Sequence, residues 1–246
     1  MRTIGALIRK ELGVYFVSPM AYIILTCLML VFGLIFSSEA GDAADFGRPF
    51  SFGGLFWVTA NLMVIVVPLV TMRLIAEEKN RGTIETLMTA PVTEFQVVLA
   101  KYVATLIFLL YLLLPTAAHA ILVSKYGTLD VTETLTGYLG LFLISSSFLA
   151  IGLFVSSLCS SQVTAGVITL IVTFLLLLSS RFAPQITDRT PLGRTTRSVF
   201  EALDPFRYFG DFIRGIIDTR PLVYFLSLIV FFLFLSVRAL EARRWR

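Results

Sequence analysis

A charged segment, residues 73–101, interrupts a chain that is otherwise strongly apolar. Its sequence, RLIAEEKNRGTIETLMTAPVTEFQVVLAK, mixes acidic and basic residues with small and apolar ones. Side chains of these types form ion pairs and hydrogen bonds with other proteins, while buried leucine or methionine supplies more of the affinity. We therefore interpret the segment as a surface that binds a partner outside the membrane. A solvated loop is the plainer alternative, and for charge runs in general it is the commoner one.

A short helix can form in the second half of this segment. Gly82 and Thr83 would open it, with Thr83 as its N-cap. Glu85 would lie in the first turn, at the positive end of the helix dipole. Leu87 would lie on the apolar side, and Pro91 would end the helix. An isolated helix that short is marginal in water, so we expect it to be held by packing against another element or a partner.

Motifs for catalysis are absent from the sequence. It contains no GxxxxGK[ST] loop for nucleotides, no HExxH or CxxC pattern and no nucleophile elbow. We therefore expect no enzymatic site, no metal, no cofactor bound by this chain and no nucleic-acid partner. Within the apolar runs we identify only His119 as ionisable, and a packing role for it is favoured over a proton or substrate role. Ion-driven transport is disfavoured, because carriers of that class place charged groups within the membrane.

Six apolar runs of transmembrane length account for most of the chain. The 246 residues are 57% hydrophobic with a mean hydropathy of +0.88, whereas soluble domains are roughly 45–50% apolar. A hydrocarbon core about 30 Å thick takes about 20 apolar residues per helix. We therefore predict an all-α polytopic membrane protein with one domain, residues 1–246, and transmembrane helices at 20–37, 52–71, 97–123, 138–159, 163–180 and 222–237.

The distribution of lysine and arginine favours a cytoplasmic location for both termini. That orientation places eleven basic residues on the inner side and leaves only Arg48 and Lys125 in the two short outer loops. The long outer loop, residues 181–220, is the exception, since it carries seven arginines against five acidic residues.

Two segments outside the spans have amphipathic patterns. Residues 1–19 place apolar side chains at helical spacing opposite most of their basic ones, which predicts an interfacial helix in the headgroup plane. An ordinary basic flank is the alternative. In the outer loop, an aspartate and a proline can start a helix with an apolar stripe and charges that alternate in sign as far as Asp218. This re-entrant or interfacial helix could gate or merely plug the outer end, and its residues of interest are Asp204, Pro205, Phe206, Arg207, Asp211 and Arg214.

The string EEKxRGTxExLxxxP at residues 77–91, followed by Lys101 where the third span begins, resembles the signature of type-2 ATP-binding-cassette permeases. The six-span plan, the amphipathic amino-terminal helix and the absence of an ATPase domain are similar to the same family. So is the outer segment PFRYFGDFIRGIID. The similarity covers nearly the whole chain. The compact size and the outer segment look most similar to the gliding-motility-associated branch of these permeases.

The resemblance implies a permease subunit of an ATP-driven exporter in a bacterial plasma membrane. In that family the loop between the second and third spans, here residues 73–96, is a cytosolic coupling helix that docks on a separate ATPase subunit. ATP and Mg²⁺ then bind to that partner. Carried onto this sequence, the residues that contact the ATPase are Glu77, Glu78, Arg81, Gly82, Thr83, Glu85, Leu87 and Pro91. The resemblance also implies a second permease, identical or paralogous, in the same bilayer, and it leaves open an auxiliary periplasmic or membrane subunit.

Two other functions are compatible with the sequence. A mechanotransmission subunit would use the same ATPase to drive motility or envelope assembly without moving a substrate. A non-energised scaffold would predict that replacing Glu85 or Leu87 leaves partner binding unchanged. The sequence does not identify the transported substrate.

Overall fold

The structure is a computed structural model that describes residues 2–46, 50–83, 93–126, 130–182, 185 and 191–244. Within these ranges the chain consists of helices and short connections, without a strand. The helices are α1 (Arg2–Val17), α2 (Pro19–Phe46), α3 (Gly53–Thr71), α4 (Ala76–Asn80), α5 (Glu94–Leu113), α6 (Ala117–Tyr126), α7 (Val131–Leu158), α8 (Gln162–Phe182), α9 (Pro191–Leu203), α10 (Pro205–Ile213) and α11 (Thr219–Arg244).

Six helical stretches among the described residues are long and apolar enough to cross a membrane, which confirms the predicted number. The second stretch joins α3 to α4, and the third joins α5 to α6. The first and last stretches are longer than the apolar runs indicate, because flanking residues continue the helix. The six are Pro19–Ala43, Gly53–Asn80, Glu94–Lys125, Val131–Leu158, Gln162–Phe182 and Thr219–Ala242.

Helix α7 lies at the centre of the bundle, where it packs against α3, α5, α8, α10 and α11. Most of its length is buried, including a run of three serines, Ser145–Ser147. Small side chains let neighbouring helices approach closely in a membrane. The hydroxyl of Ser147 donates to the carbonyl of Ile144 at 2.7 Å, within the same helix. The hydroxyl of Ser147 is therefore satisfied within its own helix.

Helix α1 packs along α5 and turns through Ser18 into α2. The ring of Tyr15 stacks on Phe108 of α5 with 4.7 Å between centroids, and Phe16 meets Tyr111 edge-on at 4.9 Å. The apolar side of α1 therefore faces the bundle, while Arg9 and Lys10 are exposed. Its location in the headgroup plane stays a prediction.

The third span begins at a capping box and is interrupted at a proline. The hydroxyl oxygen of Thr93 accepts a hydrogen bond from the N–H of Gln96, whose side chain accepts one from the N–H of Thr93. Pro115 breaks the span into α5 and α6, with a 3₁₀ turn between them. On α6, His119 lies against the rings of Phe32 and Phe36 of α2, at centroid distances of 5.0 and 4.7 Å. Nδ1 of His119 is buried and has no hydrogen-bond partner among the described residues, so the packing role of this histidine stays a prediction.

The outer helix α10 ends earlier than the sequence pattern indicates. Gly215 has a φ of +77°, a left-handed conformation that glycine adopts at the ends of helices. Its N–H donates to the carbonyl of Phe212 at 3.1 Å, and the N–H of Ile216 donates to that of Asp211 at 3.0 Å. This pair of bonds is a Schellman motif, which ends the helix. The prediction of a helix that continues to Asp218 is therefore wrong.

Candidate coupling site

The second span breaks after α3 and resumes as α4, and a serine from α7 fixes the break. The N–H groups of Ile75 and Ala76 both donate to Oγ of Ser156 at 3.1 Å. Ile75 precedes α4 and has no side chain that can cap it. Ser156 therefore supplies, from another helix, the acceptor that an N-cap residue usually provides. Because Ala76 and Ser156 are fully buried, the start of α4 is fixed to the end of α7.

A lysine of α4 binds the same end of α7. The ammonium of Lys79 donates to the carbonyl of Ser157. Carbonyls in the last turn of a helix have no partner within it and form its negative end, so a cation is favourable there. Gly82, with a φ of +69°, then turns the chain away from α4. The hydroxyl of Thr83 donates to the carbonyl of Glu78 at 3.3 Å, so Thr83 contacts the preceding helix.

A buried ion triad joins α4 to two other helices. The ammonium of Lys101 on α5 lies 2.9 Å from Oε1 of Glu11 on α1 and 3.0 Å from Oε1 of Glu78 on α4. The lysine side chain is 3% exposed, and the two carboxylates are 13% and 17% exposed. A buried ammonium needs such partners because its removal from water costs several kcal/mol. The Lys101 triad (Glu11, Glu78 and Lys101) therefore requires α1, α4 and α5 to be docked together.

The Lys101 triad corrects one expectation from the sequence. His119 is not the only ionisable residue in the spans, because Lys101 lies within the predicted run 97–123 and within the observed span Glu94–Lys125. The apolar pattern misplaces this lysine at the membrane surface, since its partners come from distant parts of the chain. Its charge is paired with the carboxylates of Glu11 and Glu78.

Tyr15 forms a second link between α1 and the bundle. Its hydroxyl donates to the carbonyl of Val70 at 3.3 Å and lies 3.3 Å from Oγ1 of Thr105. Burial raises the pKa of the Tyr15 phenol above its ordinary value, so the hydroxyl keeps its proton and remains a donor. The inner part of α1 is thus attached by a hydrogen bond as well as by the Lys101 triad.

The accessible side of α4 carries a different kind of ion pair. Nη2 of Arg81 lies 2.5 Å from Oε1 of Glu77, one helical turn away, and the arginine side chain is 69% exposed. Exposed pairs with this spacing contribute only about 0.3–0.5 kcal/mol to stability. Arg81 can therefore exchange this pair for contacts with a partner at little cost, whereas Glu77 is only 20% exposed.

The structure brings together five of the eight residues that the resemblance assigns to ATPase contact. Glu77, Glu78, Arg81, Gly82 and Thr83 lie in or directly after α4. Their clustering at one end of α4 follows largely from their proximity in the chain. What the tertiary structure adds is the attachment of that end to α1, α5 and α7.

The helix predicted to begin at Thr83 lies outside the described residues, and so do Glu85, Leu87 and Pro91. Sequence reasoning missed Ser156, Ser157 and Glu11 as members of this site. A signal existed only for Glu11, which follows Leu7 and precedes Tyr15 by one helical turn each and so lies on the apolar side of α1. We call the assembly of α4, the C-terminal end of α7 and the Lys101 triad the coupling junction.

At the other end of the bundle, α10 starts as the sequence predicts. Oδ1 of Asp204 accepts a hydrogen bond from the N–H of Phe206 at 2.9 Å, and Pro205 takes the first helical position. The carboxyl group of Asp204 is largely buried, and this burial raises its pKa. The cap is thus part of the packed structure.

The aromatic side chains of α10 are enclosed by neighbouring helices. Phe206, Phe209 and Phe212 are fully buried. The first two contact the ring of Trp57 on α3, at centroid distances of 5.8 and 6.4 Å. Phe212 lies against Gly140 of α7. A Cβ added to Gly140 would come within 2.6 Å of the Cβ of Phe212. An apolar stripe on one side of α10 does not predict the burial of Phe212. The side chain is buried because α10 packs against four helices, α3, α7, α8 and α11.

Arg207 of α10 pairs with Glu201 of α9 and not with Asp211 of its own helix. Nη1 of Arg207 lies 2.5 Å from Oε2 of Glu201, and Nε of Arg197 lies 2.7 Å from Oε1 of the same carboxylate. Within the described part of the chain, no ion pair joins Arg207 to Asp211, and Arg214 is exposed after the end of α10. Hydrogen bonds from Arg197 and Arg207 lower the pKa of Glu201. We call α9, α10 and the aromatic residues around them the outer cluster.

Comparison with known families identifies the chain. A family model described as ABC-2 family transporter protein matches residues 38–243. The match begins within α2 and ends within α11, so it includes α4 and the outer cluster. No curated protein matches the chain. The match does not distinguish the gliding-motility-associated branch, which stays a prediction. The chain belongs to the ABC-2 transporter family and is a multi-pass membrane subunit of an ABC transporter.

Proposed function

We propose that this chain is the permease of an ATP-driven exporter in a bacterial plasma membrane, with both termini in the cytoplasm. Residues 73–96 dock on a separate ATPase subunit, which binds ATP and Mg²⁺. A second permease, identical or paralogous, completes the passage. The observation that carries the proposal is the Lys101 triad, because it connects the docking segment to α1 and α5 through buried charges.

The coupling junction can transmit force because its contacts are directional and buried. Oγ of Ser156 accepts hydrogen bonds from two backbone N–H groups at the start of α4, and the carbonyl of Ser157 accepts one from Lys79. Buried hydrogen bonds are costly to break without replacement, so α4 and the end of α7 should move together. The Lys101 triad extends the same constraint to α1 and α5. A displacement of the docking segment by the ATPase would therefore reach four helices.

Helix α7 extends this path to the outer cluster. Ser156 binds α4 near one end of the helix, and Gly140 contacts Phe212 of α10 nearer the other end. With a rise of about 1.5 Å per residue, these two positions are about 24 Å apart. Movement of α7 at the coupling junction would therefore also move the surface on which the outer cluster packs. This continuity supports export, in which the inner and outer ends must open in a coordinated way.

The ATPase contact itself combines exposed charges with an apolar anchor. Glu77, Arg81, Thr83 and Glu85 would set the specificity of docking, and Leu87 would supply more of the affinity. The positions that already bind within the bundle, Glu78 among them, would transmit the movement rather than contribute most of the docking energy.

Co-purification from native membranes tests the proposal. We expect an ABC ATPase and a second permease to accompany the wild-type chain. Leu87→Asp should reduce the retained ATPase about tenfold or more, because it places a charge in the apolar part of the contact. Leu203→Asp is the matched control, since Leu203 is an exposed leucine of α9 that lies outside the candidate membrane spans. Full retention and stimulation of the ATPase by Leu87→Asp would overturn the assignment of the docking segment.

Two further measurements separate the alternatives. A Thr83→Cys variant should react with a membrane-impermeant thiol reagent only from the cytoplasmic side, and labelling from outside would contradict the orientation. In a deletion strain, an exporter predicts a substrate that accumulates inside the cell. A motility or envelope-assembly defect without such a substrate would favour mechanotransmission.

A further inference from the structure

A cavity of about 300 Å³ lies between α1, α2, the end of α3 and α5, beside the coupling junction. This volume is at the lower end of the range of about 300–1,000 Å³ that ligand sites occupy. Four residues assigned to ATPase contact, Glu77, Glu78, Arg81 and Thr83, also line the cavity, but docking on the ATPase does not itself require a cavity. The inference below therefore does not rest on the proposed function.

The wall of the cavity changes from apolar to charged. Its apolar part includes Val14 of α1, Ala21 and Ile24 of α2, Leu69 of α3 and Phe108 of α5. Its charged part includes Lys10, Arg73 and the Lys101 triad. A water-soluble ligand would leave the apolar part uncovered, whereas a molecule with a charged head and a hydrocarbon chain matches both parts.

Two cations of the lining have no carboxylate partner among the described residues. Lys101 is paired within its triad, and Arg81 is paired with Glu77. Arg73 has one long hydrogen bond, from Nη1 to Oγ of Ser18 at 3.4 Å, and its buried Nε donates to nothing in the described part of the chain. Lys10 is exposed at the edge of the cavity. A buried N–H without an acceptor is costly, so Arg73 indicates that a ligand oxygen belongs beside it.

A buried acceptor without a donor lines the same cavity. Oε1 of Glu78 binds Lys101, but Oε2 is buried and has no partner among the described residues. A carboxylate oxygen in this state requires a donor. The lining thus offers an unsatisfied donor and an unsatisfied acceptor, and a simple anion would satisfy only the first.

We propose that the cavity binds one phospholipid whose head group carries both a phosphate and a primary ammonium. The phosphate accepts hydrogen bonds from Arg73 and is attracted by the positive charge of Lys10. The ammonium donates to Oε2 of Glu78, and an acyl chain covers the apolar wall formed by α1, α2 and α5. The lipid thereby fills the space between α1 and the bundle next to the Lys101 triad.

Lipid titration of the purified full-length chain, followed by native mass spectrometry, tests this assignment. The probes are phospholipids with identical acyl chains and ethanolamine, choline or glycerol head groups. We expect the ethanolamine lipid to bind about tenfold more tightly than the choline lipid, whose quaternary nitrogen cannot donate a hydrogen bond. Equal binding of these two lipids, or tighter binding of the glycerol lipid, would overturn the proposal.

Variants separate a built site from general surface charge. Arg73→Gln should weaken binding of all three lipids about tenfold. Lys10→Gln should weaken it by a smaller factor, and Arg9→Gln should leave it unchanged, because Arg9 is the adjacent cation of α1 and does not line the cavity. Equal effects of Lys10→Gln and Arg9→Gln would contradict the proposal.

Ala21→Phe provides a test that leaves every charge in place. Ala21 is 5% exposed in the apolar wall, so a larger side chain should occupy the space of the acyl chain and abolish tight binding. Elution as a single species and an unchanged helical circular dichroism spectrum would show that the variant is folded. Unchanged lipid affinity in that folded variant would show that the cavity is not the site.

Discussion

The coupling junction and the outer cluster lie at opposite ends of α7 and are held by different forces. At the coupling junction, hydrogen bonds and buried charges join helices that are distant in sequence. At the outer cluster, three phenylalanines of α10 fill the space between neighbouring helices, and the ion pairs lie on the surface. The coupling junction therefore depends on polar contacts, and the outer cluster depends on packing.

This difference has a mechanical consequence. A hydrogen bond or ion pair weakens steeply when its geometry changes, so the helices of the coupling junction keep their relative positions or separate altogether. Dispersion between rings is the sum of many weak contacts, and it depends less on any one direction. We therefore expect substitutions in the coupling junction to impair coupling and stability together, and substitutions in the outer cluster to affect mainly stability.

The largest effect on stability should come from Phe209→Ala in the outer cluster. Removing a fully buried phenylalanine typically costs about 3–5 kcal/mol, because the lost contacts leave a cavity. Heating of detergent-solubilised protein, followed by size-exclusion chromatography, measures the change. Phe231→Ala is the control, since Phe231 is 56% exposed on α11. A folded Phe209→Ala protein that no longer stimulates its ATPase would contradict the expectation that the outer cluster contributes mainly to stability.

Lys101→Met should lower stability by about 3 kcal/mol, because Glu11 and Glu78 would be left as buried and unpaired carboxylates. Stimulation of the ATPase should fall in the same variant, even where the ATPase still binds. The triple variant Lys101→Met, Glu11→Gln and Glu78→Gln should recover most of the stability, since neutral groups avoid the cost of unpaired charge. A Lys101→Met protein that is as stable as the wild type would show that the triad does not hold the helices together.

Ser156→Ala should cost about 1–3 kcal/mol, because two buried N–H groups of α4 would lose their acceptor. Ser145→Ala is a closely matched control: Ser145 is fully buried on the same helix, but its Oγ has no hydrogen-bond partner among the described residues. The melting temperature and the stimulation of the ATPase should both be lower for Ser156→Ala than for the wild type. Both should be unchanged for Ser145→Ala. Equal losses in the two variants would indicate that only the volume of the side chain matters.

The smallest effect should come from Glu201→Gln, and it should depend on pH. The pKa of Glu201 is lowered by its hydrogen bonds with Arg197 and Arg207. A carboxylate with a lowered pKa stabilises the fold above its ordinary pKa, and this stabilisation is lost as the pH falls through the folded value. The difference in melting temperature between wild type and Glu201→Gln should therefore be small at pH 7 and vanish below about pH 4. A difference that grows on acidification would contradict the pairing.

Much of the fold could be predicted because lipid imposes a simple pattern on sequence. A span needs about 20 apolar residues whatever its neighbours are, so the six spans are visible without any knowledge of packing. The start of α10 is equally local, since Asp204 and Pro205 act on the residues directly after them. Its end is mispredicted because the alternating charges continue to Asp218, whereas Gly215 has a positive φ that ends the helix.

The site was harder to predict because its partners come from several helices. The motif at residues 77–91 marks where a partner binds, but nothing in it indicates that Ser156 caps α4 or that Lys101 binds Glu11. Lys101 lies at the end of an apolar run, where a solvated lysine is the simplest interpretation. Its burial depends on two carboxylates that the chain supplies from elsewhere.

The sequence by itself determined the class of the protein, the number of spans and the segment between the second and third spans, because hydrophobic length and a local motif are properties of consecutive residues. Only the tertiary structure decided how that segment is attached to the bundle. The Lys101 triad, the Ser156 cap and the enclosure of Phe212 all join residues from different helices. Such contacts arise when helices pack side by side, since a buried charge or N–H group must find its partner wherever the fold provides one.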